Sequence, residues 1–139
     1  MSAAAPPPYP RPDPQNADDA AFWAGIDAGE LRLQRCTACE AFRHPPRPVC
    51  AHCGSRDSEA TAVSGSGEIW SFTIVHPPTL PAFADRTPYA AVVVRLDEGV
   101  FLVSNLVDAA NHEIEVGRRV ALAITEVEPG LALPLFRLA

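Results

Sequence analysis

The chain has 139 residues, of which 47% are hydrophobic, and eleven basic against seventeen acidic residues give a net charge of -6. This length allows one or two small domains, and the acidic balance argues against a nucleic-acid-binding protein, which usually carries a basic face. No apolar run approaches the length of a membrane helix, and the first residues lack the charged start and apolar centre of a signal peptide. We therefore expect a cytoplasmic protein.

The chain begins with a proline-rich arm that leads into a short helix. Residues 1–15 are typical of an extended, solvated arm or of a linker between domains. A helix is predicted to begin near Asn16, because asparagine is a favoured N-cap, and to end near Gly29. An apolar stripe on this helix consists of Phe22, Trp23 and Ile26. Because so short a helix is unstable alone, the stripe should pack either on the chain's own domain or on a partner.

The four cysteines of the chain fall into two pairs, Cys36 with Cys39 and Cys50 with Cys53. Two residues separate the members of each pair, which is the spacing that lets four thiolates hold one zinc ion at about 2.3 Å from each sulfur. Two disulfides would need an oxidising compartment, whereas iron is the other metal that these ligands accept. Four thiolates leave no open coordination position, so the sequence predicts a structural zinc.

Short strands are predicted on both sides of the first cysteine pair, at residues 30–35 and 41–44. Gly54 follows the second pair, where a tight knuckle favours a positive φ. Glu40 stands at the matching place after the first pair and would carry a conformational penalty if its backbone is the same. We expect residues 16–58 to form one unit that contains the helix and the zinc ribbon.

The rest of the chain is predicted to consist of strands. From about residue 59 the alternation of apolar and polar residues changes to that of strands without intervening helices. Five or six strands in about eighty residues fit a five-stranded OB-type barrel over residues 59–139, with a small open β-sandwich as the alternative. Three aromatic residues on these strands are predicted to fill the barrel core, although a ligand-binding face is the other interpretation: Trp70, Phe72 and Phe101. The strands themselves are predicted at residues 59–63, 68–76, 89–96, 100–106, 120–125 and 133–138.

With these elements placed, the chain resembles the zinc-ribbon/OB-fold proteins that accompany thiolase-like enzymes in acyl-CoA metabolism. The resemblance covers about residues 20–137. It rests on residues 22–23, 29–36, 44–47, 65–73, 88–89, 117 and 133–136, in that order. Glu40 and Ala51 depart from the family pattern, which often has glycine and proline there.

The resemblance implies a mainly β protein with an N-terminal helix, a rubredoxin-like zinc ribbon and a C-terminal five-stranded OB-fold barrel. It also implies a non-catalytic subunit that binds a thiolase-superfamily enzyme in a hetero-oligomer and helps to hold a CoA thioester. In actinobacterial steroid degradation, similar domains pair with a thiolase-like aldolase that cleaves the side chain by a retro-aldol step. There the domain is often fused behind a hydratase-like domain, and the arm of residues 1–15 resembles such a linker.

No convincing catalytic residues are found in the sequence, since His76 and His112 have no assigned carboxylate partner. Arg43, His44 and Arg47 are the candidates for binding the phosphates of CoA, although solvated charges are an equal interpretation. Candidate protein interfaces are the loop of residues 77–88, with Leu80 and Phe83 at its centre, and residues 135–138. The alternative to an accessory subunit is a zinc-ribbon/OB module that binds single-stranded nucleic acid.

Overall fold

The computed structural model describes residues 8–139; the first part of the predicted arm, residues 1–7, lies outside the described residues. The protein is mainly β, as predicted. Its strands form two sheets, one of three strands and one of five. The elements are helix α1 (Ala20–Asp27) and strands β1 (Arg32–Cys36), β2 (Phe42–Arg43), β3 (Ser58–Ala62), β4 (Ser66–Val75), β5 (Tyr89–Leu96), β6 (Phe101–Ser104), β7 (Arg119–Glu128) and β8 (Leu131–Leu138), with short 3-10 helices at Pro81–Arg86 and Asn111–Glu113.

The five-stranded sheet curls into a nearly closed barrel. Its strand order is β6-β5-β4-β7-β8, so the first strand of the barrel lies in the middle and the third and fifth strands form the two edges. These edges meet in a parallel bridge between Leu106 and Phe136, where the Val107 amide donates to the Phe136 carbonyl at 2.8 Å. This connectivity is that of an OB-fold, so the predicted barrel is confirmed.

Strand β3 corrects the prediction that residues 59–63 open the barrel. It pairs antiparallel with β1, residues 58–62 against residues 32–36, and completes the three-stranded sheet β2-β1-β3. The alternation of residues could predict a strand here but not its partner, because pairing depends on which edge lies nearby. The boundary between residues 58 and 59 remains a prediction.

Helix α1 begins four residues later than predicted and ends where expected. The Asn16 side chain closes a turn ahead of the helix instead of capping it: its Oδ1 accepts from the Asp18 amide at 3.1 Å. At the other end Gly29 has φ +82, and the Glu30 amide donates to the Gly25 carbonyl at 2.8 Å. Glycine at this position terminates the helix because it adopts the left-handed conformation without steric cost.

One hydrophobic core joins the helix, the ribbon sheet and the barrel. Phe22 and Ile26 of α1 are buried together with Leu33 of β1 and with Val92 and Phe136 of the barrel. Phe22 and Ile26 of the apolar stripe are therefore covered by the chain itself, whereas Trp23 is half-buried and lines a groove. Removing these side chains from water is the main favourable term for holding the modules together.

The three aromatics predicted to fill the barrel core are exposed, and a β-bulge in β4 accounts for one of them, Trp70. Ile69 pairs with Val94 and Ser71 with Val93, so Trp70 is an extra residue that shifts the alternation. Trp70 is 53% exposed, and two further aromatics that were predicted to lie in the core are also exposed. These are Phe72 and Phe101.

The described part of the arm contacts the barrel. Arg11 donates from Nη2 to Glu128 Oε1 at 2.8 Å, beside the turn between β7 and β8. The half-buried Tyr9 ring packs edge-on against Phe83 with 5.2 Å between ring centroids, and the Arg86 guanidinium lies 4.5 Å from the Tyr9 ring centroid. These contacts hold residues 9–11 across the loop and turn at one end of the barrel. Within residues 8–139, no helix is long and apolar enough to span a membrane.

Candidate metal centre and the adjoining groove

The four cysteines converge as their spacing predicts. All four Sγ atoms lie within 4.8 Å of one another, and the Cys36–Cys53 and Cys39–Cys50 sulfurs are each 3.6 Å apart. Four sulfurs about 2.3 Å from one tetrahedral ion would be separated by about 3.8 Å. The donor set and its geometry therefore fit a structural zinc, which would complete its coordination with protein ligands alone.

Two equivalent knuckles position these sulfurs. The Glu40 amide donates to the Cys36 carbonyl, and the Gly54 amide donates to the Cys50 carbonyl, both at 2.9 Å. Glu40 has φ +66 and Gly54 has φ +76, so both residues adopt the left-handed conformation. The conformational penalty that the sequence predicts for Glu40 therefore applies, because Glu40 adopts the same left-handed conformation as Gly54.

Backbone amides favour the thiolate forms that a metal requires. The Cys39 amide donates to Cys36 Sγ at 3.5 Å and, as the main cause, lowers the pKa of the Cys36 thiol to about 6. The amides of Cys53 and His52 lower the pKa of the Cys50 thiol in the same way. Donated hydrogen bonds stabilise the charged form of a thiol, so these amides favour the thiolates of Cys36 and Cys50. At Cys39 a backbone hydrogen bond is outweighed by burial and the neighbouring sulfurs, which raise the pKa of the Cys39 thiol to about 11.

Of the three residues proposed for CoA phosphates, the structure brings Arg43 and Arg47 together, whereas the ring of His44 packs on helix α1. Gln34 Oε1 accepts from Arg43 Nε at 2.8 Å and from the Arg47 amide at 2.7 Å, which ties both arginines to strand β1. The Arg43 Nη1 and Nη2 atoms are buried and have no hydrogen-bond partner, whereas Arg47 is exposed. The His44 ring instead packs on Phe22 with 5.1 Å between ring centroids. Their role in phosphate binding remains a prediction.

His44 lines a groove of about 360 Å³ between the helix-and-ribbon module and the barrel. Burial lowers the pKa of His44, against the opposing charge of Asp19, so the ring favours its neutral form. Its Nδ1 atom is buried without a hydrogen-bond partner. The other walls of the groove are mostly apolar and include Trp23, Pro46, Val103 and Leu135. Sequence reasoning missed this groove, because its walls come from segments far apart in the chain.

An exposed apolar strip leads from the barrel into this groove. We define the apolar strip as Trp70, Phe101 and Val103, which are 53%, 43% and 72% exposed. The Trp70 and Phe101 rings are in edge contact at 5.0 Å between centroids. Val103 follows Phe101 on the outer face of β6 and also lines the groove. The alternation of β6 could have identified Val103 as outward-facing, but the bulge that exposes Trp70 has no clear signal in the sequence.

The two segments predicted as protein interfaces differ in their exposure. Leu80 is 56% exposed, whereas Phe83 is half-buried between Tyr9 and Tyr89. Phe136 lies fully buried in the core, so residues 135–138 cannot present that ring to a partner. The tip of the loop at residues 77–88 is exposed as predicted, and Leu135 of the second segment is half-buried in the wall of the groove.

Comparisons with known proteins identify both modules. The model of the ChsH2 rubredoxin-like zinc ribbon domain matches residues 23–59, and the model of the ChsH2 C-terminal OB-fold domain matches residues 60–125. Among solved structures, the Ltp2-ChsH2(DUF35) aldolase contains a chain that is 42% identical, with a TM-score of 0.84. The match covers 92% of this chain and 98% of that one.

Two curated relatives are longer proteins. A probable enoyl-CoA hydratase alpha subunit of Thermomonospora curvata is 44% identical over 130 residues, covering 91% of this chain and 40% of the relative. The 3-oxo-4,17-pregnadiene-20-carboxyl-CoA hydratase alpha subunit of Mycobacterium tuberculosis is 37% identical over 101 residues, covering 72% of this chain and 31% of the relative. The chain thus spans less than half the length of either relative.

Proposed function

This chain belongs to the ChsH2 (DUF35) family of zinc-ribbon and OB-fold proteins, and we propose that it is the accessory subunit of a thiolase-superfamily enzyme that cleaves a steroid side-chain CoA thioester by a retro-aldol step. The observation that carries the proposal is the match to a chain of the Ltp2-ChsH2(DUF35) aldolase, which covers 98% of that chain and 92% of this one. The name of the Mycobacterium tuberculosis relative supports the steroid CoA substrate. The enzyme partner supplies the catalytic groups in this proposal.

The zinc ribbon acts as a scaffold in the proposed complex. Its four thiolates fill a tetrahedral coordination sphere, so the ion has no open position at which to polarise a substrate. The metal would instead fix the two knuckles and the sheet β2-β1-β3 against helix α1. We also propose the division into a helix-and-ribbon module at residues 16–58 and a barrel module at residues 59–139, with β3 at the start of the second module pairing back onto the ribbon sheet.

A hydratase-like domain is the second proposed partner. The parts of the two curated relatives that this chain does not match account for more than half of each hydratase alpha subunit. This supports a fused or associated hydratase-like domain in the same assembly, whose hydration reaction would precede the aldolase step. Hydration would place a hydroxyl on the β-carbon, and a retro-aldol reaction needs that hydroxyl because its proton leaves as the bond between the α- and β-carbons breaks.

CoA binding by Arg43, His44 and Arg47 remains part of the proposal. The exposed Arg47 guanidinium offers donors that a phosphate accepts well, whereas the buried, unpartnered Nη atoms of Arg43 would have to become accessible to join it. His44, which favours its neutral form, would contribute a single hydrogen bond at most. Replacing Arg47 by Gln should weaken CoA binding to the assembled complex while leaving subunit assembly unchanged.

The proposal is tested by reconstitution with the homologue of Ltp2 from the same organism. We expect the two purified proteins to form a stable hetero-oligomer, measured by size exclusion with light scattering. Cleavage of a β-hydroxyacyl-CoA with a steroid side chain should require both proteins, and this chain alone should be inactive. Absence of a complex, or equal activity of the partner without this chain, would refute the accessory role.

A further inference from the structure

We propose that the apolar strip and the groove beside it form the docking surface for the enzyme subunit, and that a large apolar side chain of that subunit inserts into the groove. This inference rests on the proposed function and adds to it the face through which the complex forms. The strip comprises Trp70, Phe101 and Val103 as defined above, and the groove continues it toward helix α1.

The geometry makes one continuous surface from both modules. Trp70 and Phe101 touch across β4 and β6, and Val103 stands opposite Val93 of the strand between them. Beyond Val103 the groove is walled by Trp23 of the helix and by Leu135 of β8. Aromatic residues beside a preformed apolar pocket are the composition in which binding energy concentrates at protein interfaces.

The charges around this surface favour a protein over a nucleic acid. The lining of the groove contains one carboxylate, Asp19, and no lysine or arginine. Arg95 near the strip is paired with Glu68, and Arg119 makes a two-pronged ion pair with Asp97 at 2.9 and 3.0 Å. A phosphate backbone would find no unpaired cation on the lining, whereas a lysine or arginine of the enzyme could pair with Asp19.

The chain covers two of its other apolar surfaces itself but leaves the strip and the groove open for the enzyme subunit. The arm covers Phe83 through Tyr9, and the core covers the helix face at Phe22. Val103 in contrast keeps 72% of its surface in water although it sits between an aromatic ring and an apolar groove. The similar solved chain occurs in a complex with a different protein, which favours a heterologous partner over a second copy.

The test compares charged substitutions on two exposed apolar surfaces. Val103→Asp introduces a charge on the strip, and Leu80→Asp makes the same type of change at the 56% exposed tip of the loop at residues 77–88. Binding of each variant to the purified Ltp2 homologue is measured by calorimetry, after zinc content and melting curves show that the fold is kept. Trp70→Ala provides a second probe of the strip without a new charge.

We expect Val103→Asp and Trp70→Ala to weaken binding at least tenfold, with Leu80→Asp within threefold of the wild type. If the wild type binds the enzyme subunit and the strip variants bind it equally well, this docking surface is wrong, but the proposed function is not. Loss of binding only in Leu80→Asp would move the interface to the loop. Failure of the wild type to bind would refute the proposed function itself. Loss of self-association or of single-stranded DNA binding in the strip variants, without an effect on enzyme binding, would overturn the inference in favour of those occupants.

Discussion

Glu40 and Gly54 occupy equivalent positions in the two zinc knuckles, and both adopt the left-handed backbone conformation. Each follows the second cysteine of its pair, and each donates its amide at 2.9 Å to the carbonyl of the first cysteine. Their φ angles of +66 and +76 differ by little, although only glycine adopts this conformation without steric cost. The knuckle geometry is therefore imposed on Glu40 by the fold.

Adding a glycine at one position and removing it at the other should change the free energy of unfolding in opposite directions. Glu40→Gly relieves the left-handed strain and should change the free energy of unfolding by between zero and about +1 kcal/mol, because glycine also loses more chain entropy on folding. Glu40→Val should lower it by about 1–2 kcal/mol, since a β-branched residue is poorly suited to positive φ. Denaturant unfolding of the zinc-loaded protein measures both.

Gly54→Ala is the matched control for the two Glu40 variants. An added Cβ at Gly54 would meet no atom within 4 Å, so its cost of about 1 kcal/mol would be purely conformational. If Glu40→Gly and Gly54→Ala shifted stability in the same direction, the equivalence of the two knuckles would be contradicted.

Removing one sulfur should abolish the metal centre. Cys36 is fully buried, and its Sγ lies 3.6 Å from that of Cys53. Because structural zinc contributes directly to folding, Cys36→Ser should lose its zinc and its ordered ribbon, as should the wild type treated with a strong chelator. Elemental analysis and circular dichroism measure the two effects. His52→Ala is the control: it changes an exposed residue beside the cluster and should keep the metal. A Cys36→Ser variant that stayed folded would argue against a structural role.

The arm contact should contribute measurable stability through the Tyr9 ring. Tyr9→Ala removes packing against Phe83 and Arg86, and we expect the free energy of unfolding to fall by about 1–2 kcal/mol. Tyr9 Oη is buried and has no hydrogen-bond partner, so Tyr9→Phe should be neutral or stabilise by up to about 1 kcal/mol. Thermal unfolding of the two variants distinguishes ring packing from the hydroxyl. An equal loss in both would mean that the hydroxyl, not the ring, anchors the arm.

Stability should fall in mildly acidic solution because of His44. Burial lowers the folded-state pKa of His44 below its usual value of about 6.5, so the unfolded chain binds the proton more readily. As the pH falls from about 7, the free energy of unfolding should therefore decrease until the folded-state pKa is passed. His44→Gln cannot titrate and should lack this component.

Denaturant unfolding of the wild type and of His44→Gln between about pH 7.5 and 5.5 measures this difference. Zinc content is followed in both proteins, because thiolate protonation acts on them equally. Parallel stability curves for the two proteins would show that His44 is as easily protonated in the folded state as in the unfolded one.

The sequence by itself determined the features that depend on short-range chemistry. The spacing of Cys36, Cys39, Cys50 and Cys53 was sufficient to predict the zinc ribbon, since two intervening residues allow two thiolates to reach one ion. Strand alternation and the stop at Gly29 were also readable, because they follow from side-chain direction and from the backbone freedom of glycine.

Only the tertiary structure decided where these elements meet. Strand β3 pairs with the ribbon, the bulge turns Trp70 outward, and Tyr9 lies across the barrel because distant segments supply the hydrogen bonds and apolar contacts. The groove beside Val103 likewise draws its walls from helix α1, the ribbon and two barrel strands. Such surfaces depend on which strands lie next to each other in the barrel, and no local pattern of residues encodes that spatial order.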